Sequence, residues 1–378
     1  MKIGFLISYF YPFEGGAENN CFYLAKELAK NNEVHIFTSD RRENTILKKE
    51  EIIDNIHIHR SKTLYRYKYY LTFNPSLLTK ILKTNLDILH VHSFGFIWHD
   101  LVVLIKKLTS KTIIFNTPHG PFMALSSYTK KELIFKTILE NIEKITNKSY
   151  NKIIQVNPYQ YKWLTKKGIK KSNILYLPNG IPKETIIQAN KKEFIKKYNL
   201  KERFIISYLG RIQKYKGIDQ VLGVLPNIIK IQPNILFLIM GKDAGDLKRI
   251  KDIIKNNNLK DYTMIIENIN EKEKLEGLNA SEIFIFPSEW EAFGIVTLEA
   301  MAQGNAIIAT KTEGSLFLVE KNNGLLYDYK NIKQLESKIK ELLNNREKLK
   351  ILQKNNIKKA KNFTWDKIAK KLENYYKK

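Results

Sequence analysis

The sequence predicts an α/β fold of two nucleotide-type domains, and three observations predict it. Short apolar runs of strand length alternate with amphipathic helical patterns from the first residues onward. The alternation breaks at Leu177-Pro-Asn-Gly-Ile-Pro182, where two prolines flank a glycine, and restarts at Phe204. At 378 residues the chain is long enough for two domains of ordinary size with ample core. The spacing places the boundary near residue 184, giving domains 1–184 and 185–362 ahead of a last helix over 363–378.

Composition narrows the class. A hydrophobic fraction of 43% is that of a globular protein and argues against disorder. The single cysteine, Cys21, cannot form an intramolecular disulfide and lies in an apolar helical pattern that marks it as core. Ile3 to Ile7 is too short for the apolar part of a secretion signal. Tyr-Pro-Phe-Glu-Gly-Gly follows it where a small-residue cleavage site would stand, so a first buried strand is expected. These features point to a reducing, cytoplasmic location. No uncharged apolar run reaches the roughly 18 residues that span a bilayer, so the expectation is a soluble or peripheral protein. The net charge of +26 has three readings: nucleic acid, an anionic membrane surface, or lysine-rich coding. Lysines spread along the whole chain with many Ile and Asn, which favours the third as background with the second superimposed.

In chain order, Lys2 to Ser8 reads as a strand, Gly15-Gly16 as a turn and Ala17 to Lys30 as a helix. No G-x-G-x-x-G follows that strand, so a dinucleotide cofactor is not supported. Val34 to Thr38 and Ile56 to His59 read as strands. Arg60 to Phe73 interleaves basic and aromatic residues, which suits base stacking, a lipid headgroup interface, or a plain solvated face. Asp87 to Val91 is a strand ending at His90-Val91-His92. Two His at that spacing share a face, but no third ligand is near, so metal is not expected. After the strand Lys111 to Asn116 comes Thr117-Pro-His119-Gly120, in a loop where open α/β sheets bind ligands. Thr129 to Ser149 carries Ile134, Ile138, Ile142 and Ile145 and reads as a covering helix with a solvated lysine face. Lys152 to Val156 closes the first half.

In the second half, the strand Phe204 to Leu209 runs into Gly210-Arg211, then Lys214-Tyr-Lys216-Gly217 and a helix from Ile218. That is an anion-site pattern: Arg211 can hold phosphate bidentately and Lys216 as a point charge, although a surface basic loop is the plain alternative. Ile235 to Met240 and Met264 to Ile266 are further strands. The strand Ile283 to Phe286 opens the most informative stretch, Pro287 to Gly304, followed by the strand Ala306 to Thr310. A helical pattern runs from about Phe293 to Gln303, and Gly304 stands where a helix would stop. Glu291 and Glu299 bracket the helix start. Eight positions apart, they are roughly 80° out of alignment on one helix. The better arrangement puts Glu291 in the loop and Glu299 about two turns in, with the amides of Phe293, Gly294 and Ile295 between them open to an anion. Gly294 admits close approach of a ligand to the backbone. A diphosphate flanked by hydroxyl-bearing sugars matches that set, while two ordinary acids near a helix N-terminus are the plain alternative. Asn331 to Lys361 is charged helix, and Phe363-Thr-Trp365-Asp opens the last one.

The string Glu291-Ala-Phe-Gly-Ile-Val-Thr-Leu-Glu299-Ala-Met-Ala-Gln-Gly304 resembles the signature of the retaining glycosyltransferases of the GT-B fold, family 4. Gly-Gly-Ala-Glu18, Pro118-His-Gly120 and Leu209-Gly-Arg-Ile through Lys216-Gly-Ile-Asp219 resemble that family's other motifs, in order along nearly the whole chain. Two departures stand out: Glu267-Asn-Ile-Asn270 lacks the glycine expected where the base sits, and Asn305-Ala306 replaces the Pro-Val of relatives. The resemblance implies two Rossmann-like domains facing across a cleft, with the C-terminal helix crossing back to the first. It implies a nucleotide-diphosphate-sugar donor held by the second domain and an acceptor held mostly by the first. By this resemblance Gly210, Arg211, Lys216 and the amides of Phe293, Gly294 and Ile295 bind the diphosphate. Glu299 holds the ribose and Glu291 the donor sugar. Gly15 and Gly16 approach the phosphates, and His119 contacts the sugar ring. It further implies a retaining hexosyltransferase that needs no cofactor and no divalent metal. A lipid-linked or envelope glycan is the expected acceptor, with an anionic membrane surface as a partner at the inner face and no nucleic acid. A sugar-nucleotide epimerase or phosphorylase on the same fold would share the donor site and differ in consuming no acceptor or a different one. A nucleic-acid binder driven by the charge would leave Glu291 and Glu299 without a role.

Overall fold

The computed structural model describes residues 1–42, 45–67, 71–93, 96–120 and 128–378. The chain divides into two compact units, Met1–Gly180 with Trp365–Lys378, and Ile181–Thr364. The division falls at Gly180, ahead of the anticipated 184, because Ile181 already bridges to Thr364 and its amide donates to the Phe363 carbonyl at 2.8 Å. For the same reason the returning segment starts at Trp365 and not at 363.

The first unit holds strands β1 (Lys2–Leu6), β2 (Glu33–Ser39), β3 (Glu50–Ile53), β4 (Ile56–Ser61), β5 (Ile88–Val91), β6 (Ile113–Asn116), β7 (Lys152–Gln155) and β8 (Ile174–Tyr176). They form one sheet in the order β8-β7-β6-β5-β1-β2-β4-β3, parallel except for the β3–β4 pair. Both faces are covered, which is why the strands read as nearly continuous apolar runs. On one face Ile3, Phe5, Val34, Ile36 and Phe115 pack with Leu24, Ala25 and Cys21 of the helix Gly16–Leu28, and with Trp365 and Leu372 of the helix Trp365–Tyr376. On the other, Leu6, Phe37, Leu89 and Ile114 meet Leu77, Ile81, Val102 and Val103. The order changes direction at the β1–β5 pair, the position in open α/β sheets where the loops leaving the C-terminal strand ends diverge. Two edge elements, Glu50–Ile53 and Ile174–Tyr176, have no counterpart in the sequence reading: a four-residue stretch with two acids and a three-residue stretch carry too little periodicity.

Two expectations about this unit fail. Arg60 does not belong to a basic-aromatic surface: it is buried, paired with Glu51 at 2.7 Å, and donates to the Tyr11 carbonyl at 2.9 Å. Downstream, Tyr65–Tyr67 pairs antiparallel with Leu71–Phe73, and residues 68–70 of that stretch lie outside the described residues. The helix Lys130–Thr146 begins at a capping box, the Glu132 amide donating to Thr129 Oγ1 and the Thr129 amide to Glu132 Oε2. It does not bury its isoleucine stripe. It seats through Leu139, Glu143 and the following Asn147, spaced four apart, and Ile134, Ile138 and Ile145 stay 63%, 52% and 72% exposed. The stripe on the opposite side therefore faces outward among Lys130, Lys131 and Lys144.

The second unit holds β9 (Phe204–Leu209), β10 (Ile235–Met240), β11 (Thr263–Ile266), β12 (Ile283–Phe286), β13 (Ala306–Thr310) and β14 (Gly324–Tyr327). The sheet runs β11-β10-β9-β12-β13-β14, all parallel, which is the doubly wound order with its switch point between β9 and β12. All residues of β9, β10, β12 and β13 are buried. The charged segment 331–361 is two helices, Ile332–Asn344 and Arg346–Ala360. Asn345 separates them, accepting the Lys348 amide at 2.9 Å on Oδ1 to cap the second.

Candidate active site

Because β9 and β12 are neighbours at the switch point, the loops leaving their C-terminal ends converge. The Glu289 amide donates to the Tyr215 carbonyl at 2.8 Å, and Gln220 Nε2 to the Pro287 carbonyl at 2.9 Å. The approach is close enough to exclude a side chain at Gly217: its φ is +68°, and a Cβ there would lie 2.3 Å from the Pro287 oxygen.

This packing places Lys216 and Glu291 together. The buried Lys216 ammonium donates to Glu291 Oε2 at 2.9 Å, and its Nζ lies 4.9 and 5.1 Å from the ring centroids of Tyr215 and Phe286. Burial pulls the lysine toward neutrality, but the Glu291 carboxylate outweighs it and the net shift is upward. Lys216 is therefore a fixed positive charge in an enclosed place. Arg211 is exposed beside it, with Nη2 donating to the Tyr215 hydroxyl at 3.2 Å, and its carbonyl accepts from the Tyr208 hydroxyl at 2.9 Å. The Gly210 amide donates to the Met240 carbonyl at 3.0 Å, so that glycine belongs to the turn that aims Arg211.

The helix after β12 starts later than its pattern predicts. It spans Ile295–Ala302, with Gly294 as its N-cap at φ +86°, a conformation glycine adopts without cost. Leu298 and Thr297 both donate to the Gly294 carbonyl, leaving the amides of Ile295 and Val296 without an acceptor among the described residues. The amides of Phe293 and Gly294 likewise have no acceptor among the described residues, so the open set runs from Phe293 to Val296. The Phe293 ring is buried against Phe317 and Phe363, where it anchors the loop. Glu299 consequently lies little more than one turn into the helix, not two.

Glu291 and Glu299 have separate partners. Glu299 is buried, and its Oε1 accepts from Lys274 Nζ at 2.8 Å. Burial raises the carboxyl above its ordinary range, with Lys274 opposing. Burial lowers Lys274, but Glu299 and Glu271 outweigh it and hold it charged. Lys274 is the partner of the candidate residue Glu299, and sequence reading misses it. Its one signal is its place in a helix, Glu271–Ala280, capped by Asn270, and in a chain this rich in lysine that does not distinguish a buried ammonium from a solvated one. Upstream, Asn268 takes the left-handed φ of +55° in the segment where the resemblance calls for a glycine.

Three further candidates belong to the first unit. Gly15 caps the helix Gly16–Leu28 in extended backbone, and Glu18 folds back over it. Gly16 has nothing within 4 Å of the place a Cβ would occupy, so no neighbour among the described residues demands glycine there. His119 follows β6 with φ +52°, and its Nε2 lies 2.9 Å from Nδ1 of the buried His92. Burial pushes the His119 imidazole down to about 3.

Residues 190–359 match the family Glycosyl transferases group 1, and residues 14–185 match Glycosyltransferase Family 4. An uncharacterized glycosyltransferase of Methanocaldococcus jannaschii is 26% identical over 98% of this chain and 96% of its own. Among solved structures, a sucrose-phosphate synthase of Thermosynechococcus elongatus superposes with a TM-score of 0.83 at 20% identity, over 100% of this chain and 98% of that one. The Anabaena protein HepE, in complex with UDP-glucose, superposes with a TM-score of 0.77 at 17% identity, over 100% and 99%.

Proposed function

This chain belongs to the group 1 glycosyl transferases, with the GT-B fold, and from that membership we propose that it transfers a sugar from a nucleotide-diphosphate donor to an acceptor hydroxyl with retention of anomeric configuration. The observation that carries the donor assignment is the Lys216–Glu291 pair set beside the open amides of Ile295 and Val296 at the switch point. Fixed positive charge, backbone donors and a carboxylate that accepts from hydroxyls are the three functions a sugar diphosphate requires. A UDP-glucose complex of the like-folded HepE supports the same donor class.

In this reading Arg211, Lys216 and the helix amides hold the diphosphate and stabilise the charge that grows on it as the anomeric bond breaks. Glu291 fixes the sugar hydroxyls and Glu299 those of the ribose. The acceptor oxygen bonds to the anomeric carbon on the face the phosphate leaves, and the acceptor proton passes to the departing phosphate oxygen. No protein nucleophile enters. Arg211 and Lys216 supply the cationic charge, so transfer proceeds without divalent metal.

For the acceptor we favour a lipid-linked or envelope glycan reached at the inner face of an anionic membrane. No helix among the described residues is long and apolar enough to cross a membrane. The outward isoleucine stripe of Lys130–Thr146, set among lysines, suits a peripheral contact with anionic lipid.

A thermal-shift panel of UDP-, GDP- and ADP-sugars on wild type and Glu299→Ala tests the donor site. One nucleotide class should raise the wild-type Tm and lose the effect in the variant, since a ligand bound only to the folded state stabilises it. No shift with any class, with and without lipid vesicles, would remove the donor assignment.

A further inference from the structure

The histidines at the end of β5 carry an inference that the donor-site reading does not use. His90 is satisfied on both sides: Nδ1 lies 2.5 Å from the Tyr376 hydroxyl and Nε2 2.8 Å from Thr117 Oγ1. His92, two residues on and so on the same sheet face, packs its ring tilted against His90 at 4.5 Å and Phe5 at 5.4 Å between centroids. It is 3% exposed, its Nδ1 faces His119 Nε2 at 2.9 Å, and its Nε2 is buried with no hydrogen-bond partner among the described residues.

We infer that His92 is a positioning residue that holds the His119 ring in its Nδ1–H tautomer, so that His119 presents a donor, and not a bare nitrogen, on the side away from His92. One proton lies between the two facing nitrogens, and there are two ways to place it. If His119 Nε2 carried it, His92 would need its own proton on Nε2, where a buried N–H would have nothing to donate to. If His92 Nδ1 carries it, the orphan is only a lone pair, and His119 must keep its proton on Nδ1. Buried N–H groups without acceptors are rarer in folded proteins than under-satisfied acceptors, so the second arrangement prevails. The left-handed backbone of His119, which residues with a Cβ rarely adopt, is the conformation in which its ring meets His92. Burial depresses both imidazoles well below neutrality, so at neutral pH the pair holds this arrangement without a net charge.

The role of that donor rests on the transferase reading, in which His119 bonds the transferred sugar. The tautomer does not rest on it, and the experiment separates the two. In protein labelled with nitrogen-15 at histidine, long-range proton–nitrogen correlations report which ring nitrogen of each of the 7 histidines is protonated. His119 and His92 should both be protonated at Nδ1 in the wild type. His92→Asp, whose carboxylate can only accept, should turn His119 to the Nε2–H form. His92→Asn, whose amide can donate to Nε2, should restore Nδ1–H. An Nε2–H proton on His119 in the wild type overturns the inference outright, whether or not either variant folds. So does an unchanged His119 in a folded His92→Asp. On transfer, His92→Asp should lower kcat about tenfold, the value of one neutral hydrogen bond, at unchanged donor KM, with recovery in His92→Asn. Wild type with the stated tautomers but no transfer from any nucleotide sugar would count against the transferase reading and leave the His92 assignment standing.

Discussion

Lys274→Met should destabilise the second unit by about 3–5 kcal/mol, the usual cost of removing one partner from a buried ion pair. The prediction follows from what remains behind. Glu299 lies beneath the surface with Oε1 on the lysine, and burial already lifts its carboxyl above the ordinary range with that lysine in place. Without it, the carboxyl rises further and the ionised form is stranded. A group whose folded pKa exceeds its unfolded value favours folding at low pH and loses that advantage as pH rises through the folded pKa. The loss in Lys274→Met should therefore be large at pH 8 and shrink on acidification, where Glu299 takes up a proton and needs no partner. The other partner of Lys274, Glu271, is exposed and adds little. Urea unfolding of the variant at two pH values reads the effect. Lys274→Met/Glu299→Leu should recover most of the stability, because an apolar pair of similar volume needs no compensation. A loss below about 1 kcal/mol, or one that ignores pH, would show that Glu299 is better solvated than its burial implies.

That pair also marks where the sequence stops being readable. The strands of both sheets, the switch-point loops and the alternation that separates the units are local patterns, and β9, β10, β12 and β13 stand where the apolar runs put them. The helix start at Ile295 was not legible. Phe293 fits the apolar period as well as Ile295 does, and only the left-handed Gly294 settles where the helix begins. The outward stripe of Lys130–Thr146 was not legible either. Periodicity identifies an apolar face but not the direction it faces, and here Leu139 and Glu143 on the other side seat the helix. Lys274 and His92 were out of reach for a third reason: each acts through a residue 25 or 27 positions away, Glu299 and His119, and a motif read along one strand or loop contains no such pairing.

Lys216→Ala should lower kcat/KM for transfer by about 10²–10³-fold, the range for removing one preorganised donor from a developing anion. The fold should survive, because the partner left behind, Glu291, is only partly buried and can be hydrated where Glu299 cannot. Without a ligand the Lys216 charge is matched by one carboxylate oxygen and two aromatic rings. In the proposed transfer, an arriving diphosphate competes with Glu291 for that ammonium, and the carboxylate becomes free to accept from sugar hydroxyls. On that proposal the lysine links phosphate binding to sugar positioning, and both should loosen together in the variant. If its main role is to stabilise charge on the departing diphosphate, kcat falls more than KM rises. Lys216→Arg should recover little, since the planar guanidinium cannot fill a slot bounded by Tyr215, Phe286 and Glu291 as a compact ammonium does. Steady-state transfer with the nucleotide sugar selected by thermal shift decides it. A rise in KM at constant kcat would make Lys216 a ground-state anchor and move the catalytic charge to Arg211, whose guanidinium is exposed beside it.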